Sequence, residues 1–296
     1  MLKGNLVKTV TSDGLEHAGF WMDATSEIAV FHSHGTSGDF YSHKFIEVEA
    51  EKLSAQGISF LTANNRGHDV YADIRKPVGK NVEWTQIGGG FERFEDCVLD
   101  IGAWVDFLTE HGVKKVILQS HSLTSKILYY QHKKHDPRVI GQILLSSQND
   151  AGLMFYALGK EKYEKTNREI VKIVRDGKGS TLLPKELSPV SYQTSALMYL
   201  GYLTEEGPGT LTPYHSPDSP QWQVLEETRE PLLAVYGGAD NYMKPSVDVA
   251  VDLIKRYAKS TKKLTVKVIE GASHSYIGYE NMLVDTILDW IKSNCV

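Results

Sequence analysis

Short apolar runs alternate along this chain with segments in which apolar residues recur every three or four positions. The apolar runs lie at residues 28–31, 58–61, 116–118, 140–145 and 232–236. Unbroken apolar strands are typical of a parallel sheet that is covered on both faces. The run 264–268 alternates apolar and polar residues instead, which predicts a strand at the edge of the sheet.

The chain begins with a different pattern, in which Asp13-Gly14 joins two strand-like runs at 6–10 and 15–21. An Asp-Gly pair between two such runs predicts an antiparallel hairpin. Helical periodicity is clearest at 94–108 and 283–291, where apolar residues form one face. We therefore expect an α/β fold, a doubly wound and mostly parallel sheet with an N-terminal antiparallel hairpin.

Residues 150–226 break the alternation of strands and helices. Helical stretches there surround a segment rich in proline and glycine, and no buried strand is predicted. We expect a core formed by residues 1–149 and 227–296, with 150–226 inserted as a helical cap over the carboxyl edge of the sheet. The alternative is a helical subdomain that only completes the core.

Composition narrows the class of protein. The net charge of −5 and the pI near 6.1 argue against a nucleic-acid binder, which is normally basic. No apolar run is long enough to span a membrane, and residues 1–5 lack the features of a secretory signal. The two cysteines, Cys97 and Cys295, are too few for a disulfide framework. A cytoplasmic monomer or homodimer that binds neither nucleic acid nor membrane is expected.

The most informative segment is the turn around Ser122. The strand at 116–118 leads into Ser120-His121-Ser122-Leu123-Thr124, and a helical pattern follows. A serine between small residues on such a strand-to-helix turn is exposed as a nucleophile. Glycine usually occupies both flanking positions, and the β-branched Thr124 is the less comfortable replacement. The alternative is a helix that begins here with Ser122 as its N-cap.

A serine hydroxyl is a weak nucleophile and needs a base and a group that orients the base. Asp240 follows the strand at 232–236, and His274 follows the strand at 264–269. Both strand ends lie at the edge of the sheet where Ser122 is expected. Asp240 could instead cap the next helix, His274 could be a surface histidine, and Asp150 competes with Asp240 as the acid. His121 is rejected as the base because adjacent residues on this turn point apart.

A tetrahedral intermediate also needs hydrogen-bond donors for its oxyanion. The run 32–38 follows a strand, and its His34-Gly35 turn directs the next backbone N–H toward the serine. The donors are expected to be the N–H groups of Thr36 and Leu123. His34, Gly35 and Arg66 are expected beside the substrate, with His34 more structural than catalytic and Arg66 bracing loops near the pocket.

Metal and nucleotide cofactors are not expected. His32 and His34 have no nearby carboxylate or third histidine in the sequence to complete a metal site. The triple glycine at 88–90 precedes a helix, as phosphate-binding loops do. However, no strand comes before it and no Gly-Lys-Ser/Thr follows.

These motifs together resemble those of the α/β-hydrolase superfamily over essentially the full chain. The matching segments are His34-Gly35, Asn65-Arg66-Gly67-His68, the Ser122 turn, Gly238-Ala239-Asp240 and Ser273-His274. The hairpin start, residues 88–96 and the histidine-rich run 32–38 are similar to a branch that includes fungal siderophore ester hydrolases. The resemblance implies the order Ser, Asp, His for the catalytic residues, an ester- or amide-cleaving activity, a helical cap and no cofactor.

We therefore predict a serine hydrolase that cleaves a small-molecule ester, thioester or amide through an acyl-enzyme on Ser122. One alternative keeps Ser122, Asp240 and His274 but passes the acyl group to another acceptor, as an acyltransferase or cyclase does. A second alternative is a non-catalytic protein of the same fold that binds a ligand. The intact order of all three residues counts against the second alternative.

Overall fold

The computed structural model describes residues 3–188 and 191–295. The predicted core and insertion also include residues 1, 2, 189, 190 and 296, which lie outside the described residues. The strands are β1 Asn5–Val10, β2 Glu16–Met22, β3 Ile28–Ser33, β4 Ser59–Ala63, β5 Asp73–Val78, β6 Asn81–Gln86, β7 Lys115–His121, β8 Val139–Leu145, β9 Leu232–Gly237 and β10 Leu264–Ile269. The helices are α1 Lys44–Ala55, α2 Gly88–Phe91, α3 Cys97–Glu110, α4 Ser125–Lys134, α5 Asp150–Leu158, α6 Lys160–Arg175, α7 Ala196–Tyr202, α8 Gln223–Glu227, α9 Val247–Tyr257 and α10 Glu280–Asn294.

Eight strands form one sheet in the order β1-β2-β4-β3-β7-β8-β9-β10. The first two pairings, β1 with β2 and β2 with β4, are antiparallel. All pairings from β4 to β10 are parallel. The predicted α/β fold with an antiparallel start is confirmed, and β10 lies at the edge where its alternating pattern placed it.

Helices cover both faces of the sheet, which explains the unbroken apolar strands. Successive side chains of a strand point to opposite faces. In β7, Val116 and Leu118 pack into one core with Trp104 of α3, whereas Ile117 packs into the other with Phe45 of α1. All five of these side chains are fully or almost fully buried. Both faces of the parallel strands are therefore buried, which favours apolar residues at successive positions.

The hairpin β5–β6 was not predicted from the sequence. It forms a separate two-stranded sheet, and every residue of β6 is exposed. Pro77 lies within β5 and obscures the strand pattern. The signal was the Gly79 turn followed by alternating Val82 and Trp84, since Gly79 adopts a positive φ of 59° in the turn.

Residues 150–188 and 191–226 contain the helices α5 to α8, and none of the strands named above lies within them. Apolar side chains of α5, α6 and α7, including Met154, Ile170 and Met198, form their own buried cluster. Leu123, the residue after Ser122, belongs to the same cluster. The division into a core and an inserted cap stays a prediction. These contacts do attach the inserted helices directly to the Ser122 turn.

None of the helices in the described ranges has both the length and the apolar character that a membrane-spanning helix needs.

A polar cluster lies in the core between the sheet and α1. Gln119 of β7 donates a hydrogen bond to Glu49 at 2.8 Å, and its amide also lies 2.9 Å from His32 Nδ1. All three residues are fully buried. Burial raises the pKa of Glu49 to about 8, partly opposed by the Gln119 hydrogen bond, and lowers that of His32 to about 3. Both side chains are therefore uncharged at neutral pH.

This cluster makes stability depend on pH. Glu49 holds a proton in the folded protein that the unfolded chain releases near its ordinary pKa of 4.5. The contribution of Glu49 to the free energy of unfolding therefore falls as the pH rises from about 5 to about 8, whereas the lowered pKa of His32 acts in the opposite direction up to about pH 6.5. The Glu49→Gln variant lacks this titration. We expect urea unfolding to show the variant gaining about 3 to 4 kcal/mol relative to the natural protein across that range, since each pH unit between the two pKa values changes the free energy of unfolding by about 1.4 kcal/mol. A constant difference between pH 5 and pH 8 would contradict the raised pKa.

Candidate active site

Ser122 lies on a sharp turn between β7 and α4. Its φ is +66°, in the left-handed region that non-glycine residues rarely adopt. The turn is held because the Ser122 N–H donates to Leu145 O at 2.9 Å and the Ser122 carbonyl accepts from the N–H of Gln148 at 2.8 Å. Such strain persists only where the surroundings enforce it, and it is common at functional sites. The turn exposes the serine at the carboxyl edge of the sheet.

Ser120 and Thr124 occupy the two positions that usually hold glycine, and both of their hydroxyl groups form hydrogen bonds. Ser120 donates to the carbonyl of Leu123 at 3.2 Å, and the hydroxyl groups of Thr124 and Ser147 lie 2.6 Å apart. Ser120 and Thr124 are fully buried. Thr124 thus fits because β8 is followed by a serine that forms a hydrogen bond with its hydroxyl.

Asp240 and His274 form a hydrogen-bonded pair beside this turn. His274 Nδ1 donates to Asp240 Oδ2 at 2.7 Å, and the Asp240 side chain is fully buried. The second oxygen, Asp240 Oδ1, accepts from the Tyr242 N–H at 2.9 Å. A carboxylate on Nδ1 fixes the ring orientation and leaves Nε2 as the free proton acceptor. His274 and Ser122 line the same cavity.

Asp150 and His121, the other candidates for the acid and the base, form hydrogen bonds with other groups. Asp150 accepts a hydrogen bond from the Thr36 hydroxyl at 3.0 Å and another from the Gln148 amide. His121 donates from Nε2 to the carbonyl of His274 at 2.8 Å, so its ring supports the His274 loop. Burial lowers the pKa of His121 well below its usual range, and the neighbouring His274 adds to the effect.

The Gly35-Thr36 backbone passes directly over the Ser122 turn. A Cβ atom added to Gly35 would lie 2.8 Å from His121 O, 2.9 Å from Ser122 Cβ and 3.5 Å from Leu123 N. Thr36 and Leu123 form no backbone N–H hydrogen bond within residues 3–188 and 191–295. Two N–H groups next to a serine hydroxyl are the arrangement that an oxyanion requires.

His34 does not line the cavity; its ring holds the Gly35-Thr36 loop in place. Its ring donates from Nδ1 to Gly35 O at 2.8 Å and accepts at Nε2 from the Asn65 N–H at 3.1 Å. Burial is the main reason that its pKa lies well below the usual range. Asn65 is held in turn by the buried Lys126, whose ammonium lies 3.0 Å from its side-chain oxygen. His34 is thus uncharged and structural, and the expected substrate contact is not observed.

The structure does not bring Arg66 to the cavity, contrary to the expected substrate contact. Its side chain is 3% exposed and forms ion pairs with Asp13, Asp96 and Asp100. Three carboxylates saturate the guanidinium, so no donor remains for a substrate. The expected bracing of loops agrees with this placement, because Asp13 belongs to the first hairpin turn and Asp100 to α3.

The cavity has a volume of about 540 Å³, within the usual range for small-molecule sites. Gly35, Thr36, Ser122 and His274 line one side. Asp150 and His121, which the sequence offered as a competing acid and base, also line the cavity. The lining is completed by residues that the sequence did not assign to the site: Gly38, His43, Gln148, Leu153, Met154, Ser191, Tyr192, Met198, Leu203, Tyr242 and Ser275. Most of them belong to residues 150–226, whose fold was the least readable part of the sequence. In the described ranges, no three His, Cys, Asp or Glu side chains are grouped as metal ligands.

Replacing Gly35 by alanine tests the close approach of the two backbones. The added Cβ falls under 3.0 Å from His121 O and Ser122 Cβ, so the loop must move away from the serine. We expect kcat of the predicted ester cleavage to fall by about 100-fold, since small misplacements at a reacting centre have such effects. The control is Gly102→Ala on α3, where the nearest atom is 3.8 Å away. Equal activity of the two variants would contradict the role of this loop.

Comparison with known proteins places the chain in a family. Residues 84–292 match the family described as protein of unknown function (DUF1749). No curated protein matches. Among solved structures, the siderophore hydrolase EstB from Aspergillus fumigatus is similar with a TM-score of 0.70 at 15% identity, covering 99% of this chain and 98% of that one. Est1E from Butyrivibrio proteoclasticus, solved with ferulic acid, has a TM-score of 0.66 at 15% identity, covering 97% and 98%.

A Pyrococcus furiosus esterase, Pf2001, has a TM-score of 0.63 at 13% identity, covering 99% of this chain and 91% of that one. A structure described as an alpha/beta hydrolase fold protein of unknown function has a TM-score of 0.70 at 17% identity, covering 99% and 96%. At these identities the likeness concerns the fold, and it confirms the resemblance predicted from the motifs. The chain belongs to the DUF1749 family and has the α/β-hydrolase fold.

Proposed function

We propose that this protein is a serine hydrolase that cleaves carboxylic esters of small molecules. One observation carries the proposal: the Asp240–His274 pair opens onto the same cavity as Ser122 in its strained turn. A nucleophile, a base and an orienting carboxylate in this order are the parts of acyl transfer chemistry. The strained backbone of Ser122, at a φ of +66°, supports a functional role for this serine, because such strain is common at functional sites.

In the proposed reaction, His274 Nε2 takes the proton of the Ser122 hydroxyl as Ser122 Oγ attacks the acyl carbonyl. The resulting oxyanion accepts hydrogen bonds from the backbone N–H groups of Thr36 and Leu123. His274 then gives its proton to the leaving alcohol, and the acyl group remains on Ser122. Water, deprotonated by His274, attacks the acyl-enzyme and releases the acid. Asp240 holds the ring and stabilises its positive charge throughout.

The described activities of structural neighbours support hydrolysis as the reaction class. The neighbours named above include a siderophore hydrolase, an esterase, and Est1E solved with ferulic acid. The shared fold places a serine turn and a histidine loop at one edge of the sheet, but pocket residues decide the substrate. In this chain a large part of the pocket lining comes from residues 150–226, which we propose act as a cap.

A fluorophosphonate probe tests the nucleophile, because it reacts with serines that a neighbouring base activates. We expect one phosphonyl group per chain, located on Ser122 by peptide mass spectrometry, and no labelling of the Ser122→Ala variant. Labelling of another residue, or equal labelling of both proteins, would contradict the proposal.

Hydrolysis in water enriched in oxygen-18 separates hydrolysis from acyl transfer. Attack of water on the acyl-enzyme places one heavy oxygen in the released acid. A product that contains no heavy oxygen and carries the acyl group on an alcohol or amine identifies the transferase alternative. The same triad would then serve a different acceptor.

A further inference from the structure

Asp150 is an acid in the proposed substrate cavity whose role is not explained by catalysis. It is the first residue of α5, and it lines the cavity with Ser122 and His274. Its carboxyl accepts hydrogen bonds from the Thr36 hydroxyl and the Gln148 amide, two neutral groups. Within residues 3–188 and 191–295, no lysine or arginine forms an ion pair with it.

The carboxyl group of Asp150 is partly buried in the cavity wall, where a charge without a cation partner is disfavoured. Burial raises the pKa of Asp150, and the hydrogen bonds from Thr36 and Gln148 and the nearby charge of a protonated His274 oppose this effect only in part. Carboxylates removed from water are normally paired with a cation. The start of a helix also favours a negative charge. However, the side chain of Asn149 already caps α5, because it accepts from the Gly152 N–H.

The surroundings of Asp150 suit an organic cation. Leu153, Met154 and Met198 provide apolar walls, and the aromatic rings of Tyr192 and Tyr242 line the same cavity. Apolar walls exclude water and strengthen an ion pair, and aromatic rings attract cations through their faces. A neutral substrate alone would leave the carboxylate without a partner in this environment.

We propose that Asp150 determines specificity by binding an ammonium group of the ester substrate. The inference rests on the proposed esterase function and names its substrate class, an ester with an amine on its acyl part. The Thr36 hydroxyl lies 3.0 Å from Asp150 Oδ2, and the Thr36 N–H is the proposed oxyanion donor. The ammonium group therefore lies only a few bonds from the carbonyl that reacts.

Pairs of esters that differ only in this charge test the inference. Benzyl esters of alanine and 3-aminobutyric acid carry an ammonium group, and those of isobutyric and isovaleric acid have the same shapes without it. We expect the natural protein to prefer the charged member of at least one pair in kcat/KM. The Asp150→Asn variant should lose this preference by about 10- to 100-fold, the value of a hydrogen bond to a charged group.

The neutral esters separate specificity from positioning. Asparagine keeps an oxygen that can accept from Thr36, so kcat/KM for the neutral esters should fall by a clearly smaller factor than kcat/KM for the ammonium esters. The control is Asp176→Asn at the exposed end of α6, which removes one charge outside the cavity. Thermal melting and the rate of fluorophosphonate labelling verify that each variant is folded with an active serine.

Two results would overturn the inference while leaving the esterase function intact. One is turnover by the natural protein with no preference for the ammonium esters. The other is an equal loss by Asp150→Asn on charged and neutral esters, which indicates that Asp150 only positions Thr36. If the natural protein cleaves none of the esters and reacts with no fluorophosphonate, the proposed function fails and the inference fails with it.

Discussion

Replacing Ser122 by alanine is expected to lower kcat for ester hydrolysis by on the order of 10⁶-fold, because no acyl-enzyme can form. The remaining residues cannot substitute for the hydroxyl, since a base without a nucleophile leaves only direct attack by water. The measurement is steady-state hydrolysis by both proteins under the same conditions, with thermal melting to verify that the variant is folded.

Ser275 provides the matched control for this experiment. It lines the same cavity and is also a serine next to His274 in the sequence. We expect Ser275→Ala to retain activity within about tenfold, as for a residue that forms no bond with the acyl group. A large loss of activity in Ser275→Ala together with a small loss in Ser122→Ala would show that the nucleophile is not Ser122.

The second large effect is expected for Asp240→Asn, which should lower kcat by about 10⁴-fold near neutral pH. Asparagine nearly preserves the shape, but its amide can donate to His274 Nδ1 and so favours the wrong tautomer of the ring. The charge that stabilises the protonated ring is lost as well. The measurement compares kcat of the variant with that of the natural protein on a neutral ester.

Asp150→Asn is the comparison that makes this prediction specific. Asp150 was the other acid that the sequence offered for the catalytic role, but its hydrogen-bond partners are Thr36 and Gln148. We expect this variant to lose much less activity on a neutral ester than Asp240→Asn loses. If Asp150→Asn loses as much activity as Asp240→Asn, the assignment of the acid would have to be reversed.

The sequence predicts the sheet and the serine turn well because both depend on local patterns. Apolar runs at 116–118 and 140–145 mark strands that are buried on both faces, and the structure confirms them as β7 and β8. The ends of neighbouring parallel strands meet at one edge. Residues far apart in sequence, such as Ser122 and His274, could therefore be expected together without any knowledge of the loops between them.

The cavity lining could not be predicted in the same way. Met154, Tyr192 and Met198 lie in helices and turns whose packing depends on contacts with one another and with Leu123. Helical periodicity shows which side of a helix is apolar but not which surface it covers. No sequence pattern marked His43 as a site residue. It directly precedes α1, and the path of the chain between Gly35 and α1, which brings it to the cavity, follows no local pattern.

Arg66 shows why charge alone is a poor guide to substrate contact. Its position after β4, in a segment similar to superfamily motifs, suggested a pocket residue. Asp13 and Asp100 lie 53 and 34 residues away in sequence, yet both bind its guanidinium. Such long-range ion pairs are invisible in a single sequence, and they turn a possible ligand into a brace between the first hairpin and α3.

The central claim is that the acyl group of the substrate is transferred to Ser122. Rapid acid quenching of the protein during turnover of a slowly hydrolysed ester, followed by mass spectrometry, tests it most directly. We expect a mass increase equal to the acyl group, located on the peptide that contains Ser122 and absent from Ser122→Ala. Turnover with no adduct in the natural protein, or an adduct on another residue, would contradict the account.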